Sequence, residues 1–191
     1  MTRRVLTLAS ASPRRRQLLE MLGVPVVVKP SHVPEIHSPG ESPRAYTVRL
    51  ARAKASGVSG EWVLGADTTV VLDGALLEKP GDADDAVRML SVLQGRTHEV
   101  VTAVALVAGG VVRERVDVTR VTFRPLQPDF LRAYVATGEP MDKAGAYGIQ
   151  GYGAALVERI DGDFFGVMGL PVRLVLELLA EAGWEYRFEE R

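Results

Sequence analysis

Apolar residues along the chain occur in two patterns, short runs typical of buried strands and three-to-four-residue spacings typical of helices. Apolar runs predict strands at 5–9, 26–28 and 62–66, the last interrupted by Asp67-Thr68-Thr69. Strand–turn–strand patterns predict hairpins, with strands at 70–72 and 75–77, at 98–107 and 111–123, and at 154–160 and 164–167. Helices are predicted at 13–22, 42–56, 82–93, 128–137 and 171–182, and a further edge strand at 184–188. This alternation predicts the α/β class, with a mixed, elongated sheet flanked by helices.

The first predicted helix begins with hydroxyl and guanidinium side chains. Ser12 stands at a favourable N-cap position, Pro13 suits the first helical position, and Arg14 and Arg15 follow. A helix N-terminus has N–H groups without helical partners and a partial positive charge, to which these arginines add their own. The segment therefore predicts a polyphosphate site, with an exposed basic helix start as the alternative.

The overall composition is that of a globular protein with an ordinary core. The chain has 191 residues, of which 47% are hydrophobic and 25% charged, and this predicts a single domain over 1–191 with two lobes sharing one sheet. A net charge of −1 disfavours binding to nucleic acid or a membrane surface. Cysteine is absent, no apolar run approaches the ~20 residues of a membrane helix, and the N-terminus has no signal-peptide pattern. We therefore expect a cytoplasmic protein without disulfides or thiolate metal sites.

Lysine is rare in this chain. Four of the 23 basic residues are lysines, namely Lys29, Lys54, Lys79 and Lys143. Arginine does not replace an ammonium where a compact point charge is needed, so these four positions are candidates for function, with chance survival as the alternative.

Asp67 is the strongest candidate for catalysis. It follows the apolar run 63–66, and ligands of α/β proteins bind at the carboxyl ends of buried strands. Lys79 follows the hairpin that starts just after Asp67, so the chain returns it towards this carboxylate. A carboxylate with cations suits phosphoanhydride hydrolysis, because the cations offset developing negative charge while the carboxylate orients water or holds a metal. The alternative is a turn residue bonded to a neighbouring threonine.

A second cluster of candidate residues lies in the glycine-rich segment 139–151. Glycines there allow backbone N–H groups to be exposed, and Tyr147 and Gln150 are candidates to bind a base by stacking and by amide hydrogen bonds. A purely structural glycine loop is the alternative. His32, His37 and His98 are too scattered along the chain to predict a histidine metal site.

Six segments together resemble the Maf family of nucleoside triphosphate pyrophosphatases over nearly the whole chain. They are LASASPRR (8–15), RLARAKA (49–55), GADT (65–68), EKP (78–80), DKAGAYGIQG (142–151) and GLP (169–171). The resemblance implies a fold like that of the inosine triphosphatases, with a cleft between two lobes. It also implies hydrolysis of a nucleoside triphosphate to the monophosphate and pyrophosphate, assisted by a divalent cation such as magnesium or manganese.

The resemblance also implies roles for individual residues. Asp67 would be the catalytic residue, either as the acid/base that takes the proton or as a metal ligand, and Glu35 would help to bind the metal. The phosphate-binding turn and the lysines that stabilise the triphosphate would be formed by Ser10, Ser12, Arg14, Arg15, Lys54 and Lys79. The amino-acid sequence of segment 142–151, together with Arg14, Thr68 and Gln150, resembles that of the family branch that acts on dTTP and UTP. Resemblance to that branch implies hydrolysis of dTTP, UTP and modified uridine triphosphates. This activity would keep surplus or non-standard nucleotides from polymerases.

Two alternatives to this function remain open. One keeps the enzyme and changes the substrate to 7-methyl-GTP, and the other is a septation regulator that senses nucleotides without hydrolysing them. The resemblance is compatible with a homodimer, for which apolar faces on the strands at 100–107 and 116–123 would supply the interface.

Overall fold

Strands and helices alternate along residues 4–188, the part of the chain that the computed structural model describes. The strands are β1 (Leu6–Leu8), β2 (Val26–Val28), β3 (Trp62–Leu72), β4 (Ala75–Leu77), β5 (Thr97–Ala108), β6 (Val111–Phe123) and β7 (Val157–Asp161). The helices are α1 (Pro13–Met21), α2 (Pro43–Ser56), α3 (Ala83–Leu93), α4 (Pro128–Ala136), α5 (Phe164–Val167) and α6 (Val172–Glu181). Short 3-10 helices span Glu139–Asp142, Ala144–Ala146 and Gly151–Leu156.

The strands form one mixed sheet of seven strands. Its order is β2-β1-β3-β5-β6-β7, with β4 paired to β3. β1 is parallel to both β2 and β3, whereas β4 on β3 and β7 on β6 are antiparallel. The α/β class predicted from the sequence is therefore confirmed. Within the described residues, every helix is too short or too polar to cross a membrane.

The chain divides into two compact units. The first unit comprises the chain up to Asp67, Thr102–Asp117 and the chain from Gly169 onward. The second unit comprises Thr68–Val101 and Val118–Met168. β3, β5 and β6 each contribute residues to both units.

β3 is longer than the sequence predicts. The predicted break at Asp67-Thr68-Thr69 is wrong, because the strand continues from Trp62 to Leu72. β4 pairs with its far end, Val70 opposite Leu77, and β-branched Thr68 and Thr69 suit extended backbone. Asp67 consequently lies inside a strand and is 6% exposed.

Two predicted strands near the C-terminal end of the chain are also wrong. Phe164–Val167 is a helix, because the Asp163 carboxylate accepts hydrogen bonds from the backbone N–H groups of Phe165 and Gly166 and so caps it. Residues 184–188 form no strand. Side chains hold this segment instead. The Trp184 ring packs edge-to-face on Trp62, and the Tyr186 hydroxyl donates to the Leu22 carbonyl.

The apolar faces expected to be exposed on the long hairpin are largely internal. On β5, the residues from Val100 to Leu106 are all buried within the chain, and on β6 Val121 and Phe123 are fully buried. On the predicted face of β6, Val118 is 40% exposed and Val116 is half-buried, and Val111 and Val112 at the start of β6 are also exposed. The predicted interface is therefore wrong for β5, and the homodimer stays a prediction.

An aromatic cluster around His98 forms part of the core of the second unit. The His98 ring packs edge-to-face on Phe123 and Tyr147, with ring centroids 5.0 and 5.4 Å apart. Its Nε2 is 2.8 Å from the Tyr147 hydroxyl, and within the described residues its buried Nδ1 has no hydrogen-bond partner. Burial lowers the pKa of His98 to about 4, which keeps the ring neutral at physiological pH.

Mild acid is expected to destabilise the protein through His98. Between pH 6.5 and about 4 the unfolded chain binds a proton that the folded chain does not, so the free energy of unfolding falls as the pH is lowered. The shift corresponds to a loss of ~3 kcal/mol across that window. Urea unfolding at several pH values would show a shallower dependence in His98→Gln. His32→Gln, in which an exposed ring is replaced, should retain the wild-type slope; equal slopes in all three proteins would contradict the assignment.

Candidate active site

The turn between β1 and α1 is held by Ser10 and Arg15. The Ser10 hydroxyl accepts hydrogen bonds from the Ser12 N–H, at 3.2 Å, and from Nη1 of Arg15, at 3.1 Å. Nε of Arg15 donates to the Gly169 carbonyl at 2.8 Å. Ser12 occupies the predicted N-cap position, but its side chain makes no capping hydrogen bond. The arginine is thus fixed at the start of α1 by partners that are distant in sequence.

Lys54 of α2 lies between two carboxylates. Its Nζ is 2.6 Å from Oδ1 of Asp67 and 2.5 Å from Oε1 of Glu35. The Lys54 and Asp67 side chains are 10% and 8% exposed, whereas that of Glu35 is 44% exposed. The structure therefore brings together three residues that lie far apart in the sequence.

A glycine on β3 makes this contact possible. A Cβ atom at Gly65 would lie 2.3 Å from the Ala51 carbonyl oxygen and 2.5 Å from the Ala55 nitrogen. The backbone of α2 therefore lies directly on β3 at this position. Asp67 stands two residues further along the same face of the strand, within reach of Lys54.

Asp67 lies beyond the carboxyl end of β1. The parallel pairing of β3 with β1 ends at Leu64, where the Ala9 N–H donates to the Leu64 carbonyl. The turn that carries Ser10 and Ser12 begins at this same edge. The expected location at the carboxyl edge of a strand thus holds relative to β1, although β3 itself continues.

Burial and neighbouring charges act in opposite directions on Asp67. Burial raises the pKa of Asp67, the nearby Lys54 ammonium and the Arg15 guanidinium lower it, and Glu35 raises it. The net pKa is above the usual value of an aspartate. Asp67 is therefore a stronger base than an exposed aspartate would be.

Arg15 experiences the same group of charges. Burial lowers the pKa of Arg15, the Asp67 and Glu35 carboxylates raise it, and Arg14 lowers it. With Lys54, the first unit thus gathers three cationic side chains and two carboxylates close enough to interact. An excess of cations over carboxylates suits a polyphosphate ligand.

The two carboxylates fit a divalent cation that also binds a nucleotide. Among residues 4–188 there is no group of three or more histidine, cysteine, aspartate or glutamate side chains placed to bind a metal ion. Magnesium is commonly held by only one or two carboxylates together with substrate phosphates and water. Glu35 and Asp67 share Lys54, so their oxygens are near one another and have the hard-donor chemistry that such an ion prefers.

The other predicted substrate-binding residues belong to the second unit. Thr68 is half-buried on β3. Lys79 is exposed two residues after Leu77, which pairs with Val70, so the chain leaves β4 in the direction of Thr68. The Gly145 N–H donates to the Glu78 carbonyl at 3.1 Å, which ties the glycine-rich segment to the residue before Lys79. Gln150 is exposed just before a 3-10 helix.

Tyr147 is not available to stack on a base. It is 5% exposed, packs against His98 and Phe123 and is hydrogen-bonded to His98. That prediction is wrong because the aromatic ring completes the core of the second unit. Two residues after Gln150, Tyr152 is 70% exposed and presents the aromatic surface in this segment.

Comparison with known proteins identifies the family. The family model described as "Maf-like protein" matches residues 5–182. The chain belongs to the Maf family. Its Maf relatives include proteins named dTTP/UTP pyrophosphatase from Moorella thermoacetica and Koribacter versatilis. The first is 53% identical over 93% of this chain and 95% of its own length, and the second is 48% identical over 93% and 94%.

A further Maf relative and one solved structure complete the comparison. A protein named dTTP/UTP pyrophosphatase from Syntrophomonas wolfei is 50% identical over 92% of this chain and 96% of its own length. The structure of the Staphylococcus aureus Ham1 protein covers 81% of this chain and 80% of its own, with 13% identity and a TM-score of 0.47. That similarity is too distant to support an argument about the fold.

For one Maf segment the sequence predicts no role, but the structure shows one. The segment 169–171 matches the family, and its first residue, Gly169, supplies the carbonyl oxygen that holds Nε of Arg15. A hydrogen bond to a main-chain carbonyl leaves no signature in residue type. Only the family match pointed to this position.

Replacing Gly65 by alanine is expected to destabilise this Maf protein. The new methyl group would meet the backbone of α2, which is too rigid to yield cheaply, so we expect a loss of 1–3 kcal/mol, to order of magnitude, in the free energy of unfolding. Gly81→Ala is the matched control, because a Cβ there meets nothing within 4 Å, and it should change stability by less than about 0.5 kcal/mol. Equal unfolding midpoints in urea for the two variants would contradict the proposed contact.

Proposed function

We propose that the protein is a nucleoside triphosphate pyrophosphatase that hydrolyses dTTP and UTP to the monophosphate and pyrophosphate. The observation that carries this proposal is the buried Lys54–Asp67 pair beside the Ser10–Arg15 turn, which combines a base with phosphate-binding cations. Family membership and relatives near 50% identity that are named dTTP/UTP pyrophosphatase support it.

In this proposal the triphosphate is bound by residues of the first unit together with Lys79 of the second. Ser10, Ser12, Arg14 and Arg15 surround it at the start of α1, and Lys54 and Lys79 supply further positive charge. Because Arg15 is already fixed by Ser10 and Gly169, it needs little reordering when the ligand binds. Cations held in place before the reaction stabilise negative charge that develops on the departing pyrophosphate.

Asp67 acts on the attacking water. A water oxygen forms a bond to the α-phosphorus, the bond from that phosphorus to the bridging oxygen breaks, and pyrophosphate leaves with the electron pair. Asp67 accepts the proton of the water, a role favoured by its raised pKa. In the alternative role of Asp67, this carboxylate would instead hold magnesium or manganese together with Glu35, and the bound ion would supply positive charge to the phosphate oxygens.

Gln150 of the second unit is proposed to recognise the base. Its primary amide offers one donor and one acceptor, which complement O4 and N3–H of uracil and thymine. 7-Methylguanine offers O6 and N1–H in the same acceptor–donor order, so the preference for pyrimidine substrates, modified uridine triphosphates included, is supported by the relatives named dTTP/UTP pyrophosphatase and not by this amide alone. A homodimer and a cytoplasmic location remain predictions.

Pyrophosphate release from dTTP, UTP, CTP, GTP, ITP and 7-methyl-GTP, with magnesium or manganese, tests the proposal. We expect activity on dTTP and UTP only, and a loss of at least about a hundredfold in kcat for Asp67→Asn with nucleotide binding retained. Asp129→Asn, which changes an exposed carboxylate paired with Arg132, should retain full activity.

The other outcomes of this assay separate the alternatives. Activity on 7-methyl-GTP instead would keep the proposed chemistry and overturn the assignment of pyrimidine bases. Nucleotide binding by the wild-type protein without turnover of any of the six would favour the regulator. Comparable rates on GTP and UTP would contradict pyrimidine specificity.

A further inference from the structure

The segment that carries Gln150 is held by the side chains of Tyr134 and Glu139. One oxygen of the Glu139 carboxylate, Oε1, accepts from the Tyr134 hydroxyl at 2.9 Å and from the Gly153 N–H at 2.8 Å. The other, Oε2, accepts from the Tyr152 N–H at 2.9 Å. A single carboxylate therefore fixes the backbone just after Gln150.

The Tyr134 hydroxyl fixes the backbone on the other side of Gln150. It accepts a hydrogen bond from the Gly148 N–H at 3.2 Å while it donates to Glu139. The Tyr134 ring is buried on α4, so this anchor is attached to the core of the second unit. We name Tyr134 and Glu139 the clamp; it closes residues 148–153 into a loop with exposed Gln150 between its two attachment points.

The glycines of the loop follow from how closely the clamp approaches. A Cβ atom at Gly151, whose φ is +68°, would lie 2.4 Å from Oε2 of Glu139. A Cβ atom at Gly153 would lie 2.1 Å from the Gly148 carbonyl oxygen and 2.8 Å from the Tyr134 hydroxyl. Larger residues at either position would push the loop off the clamp.

Lys143 also holds Glu139 in place. Its Nζ donates to the Glu139 carbonyl and to Oδ1 of Asp142, both at 2.5 Å. Its stem also approaches Gly148, where a Cβ atom would lie 3.0 Å from Cε of the lysine. This lysine thus holds the main chain of Glu139 rather than standing free to meet a ligand.

We propose that Glu139 is a positioning residue for base recognition, which sets the backbone of the loop so that the Gln150 amide meets the pyrimidine edge. This proposal rests on the proposed function, because it assigns Glu139 to the same base-recognition site. The hydrogen bonds of the clamp described above all join residues of the second unit. Loss of Glu139 should therefore weaken recognition of the base and spare recognition of the phosphates.

Glu139→Gln tests the proposal with little change in size. All three neighbours of the carboxylate donate hydrogen bonds, so an amide NH₂ in place of one oxygen must oppose at least one donor. We expect the KM for UTP to rise about tenfold, with kcat changed by less than about twofold. The inhibition constant of inorganic tripolyphosphate, which has no base, should stay within about twofold of wild type, whereas that of UMP should rise with the KM.

A double-mutant cycle shows whether Glu139 acts through Gln150. If it does, Glu139→Gln should cost nothing further in a Gln150→Ala background, whereas independent effects would multiply. Tyr134→Phe, which removes the other half of the clamp, should raise the KM in the same direction and serves if Glu139→Gln does not fold. Glu177→Gln is the matched control, because it replaces an exposed carboxylate paired with Arg173, and it should leave every constant unchanged.

The outcomes distinguish this proposal from the one on which it rests. A wild-type protein that hydrolyses neither dTTP nor UTP overturns both. If the wild-type protein has normal activity, three results would overturn the role of Glu139 alone. They are an unchanged KM in the clamp variants, a weakening of tripolyphosphate inhibition equal to that of UMP inhibition, and a multiplicative double-mutant cycle.

Discussion

The buried ion pair between Lys54 and Asp67 is the interaction on which the candidate site depends. Moving an ammonium and a carboxylate out of water costs several kcal/mol each, and their attraction offsets this only when the geometry is good. The pair is therefore weak evidence for stability, and an apolar pair of similar volume would serve the fold as well. Its physical value lies in its charge, because it holds an ionisable base among cations that a phosphate ligand can share.

The close packing of α2 on β3 determines whether this pair can form. Gly65 lets the helix backbone come into contact with the strand, which brings an ammonium on a helix to a carboxylate on a strand. Glu35, on the irregular segment between β2 and α2, then completes the group from its more exposed side. In the first unit, the packing of α2 on β3 therefore forms the core and the candidate site together, and it depends on Gly65, which has no side chain.

Local sequence signals were sufficient where the structure depends on local interactions. The Ser42-Pro43 start and Gly57 predicted the bounds of α2 correctly, and Asp73-Gly74 predicted a hairpin turn in which both residues have positive φ. Local signals failed where the partner is distant. β3, which continues through Asp67, is paired in the sheet with the later strand β5, and the burial of Tyr147 depends on His98 and Phe123. Hydrophobic periodicity likewise does not predict the contact of Glu35 with Lys54, and only the family resemblance indicated that this glutamate has a role.

The two units support their candidate residues by different means. Asp67 stands on a strand whose backbone is ordered by the sheet, so the entropy of positioning it is lost during folding and not on binding. Gln150 stands instead on the short loop that the clamp closes through hydrogen bonds to Gly148, Tyr152 and Gly153. Substitutions in that loop can alter the shape offered to a base while the strand that carries the carboxylate stays unchanged. Under the proposed function, the two requirements of the enzyme can evolve separately, so one hydrolytic apparatus is able to acquire new substrates by small changes in a single loop.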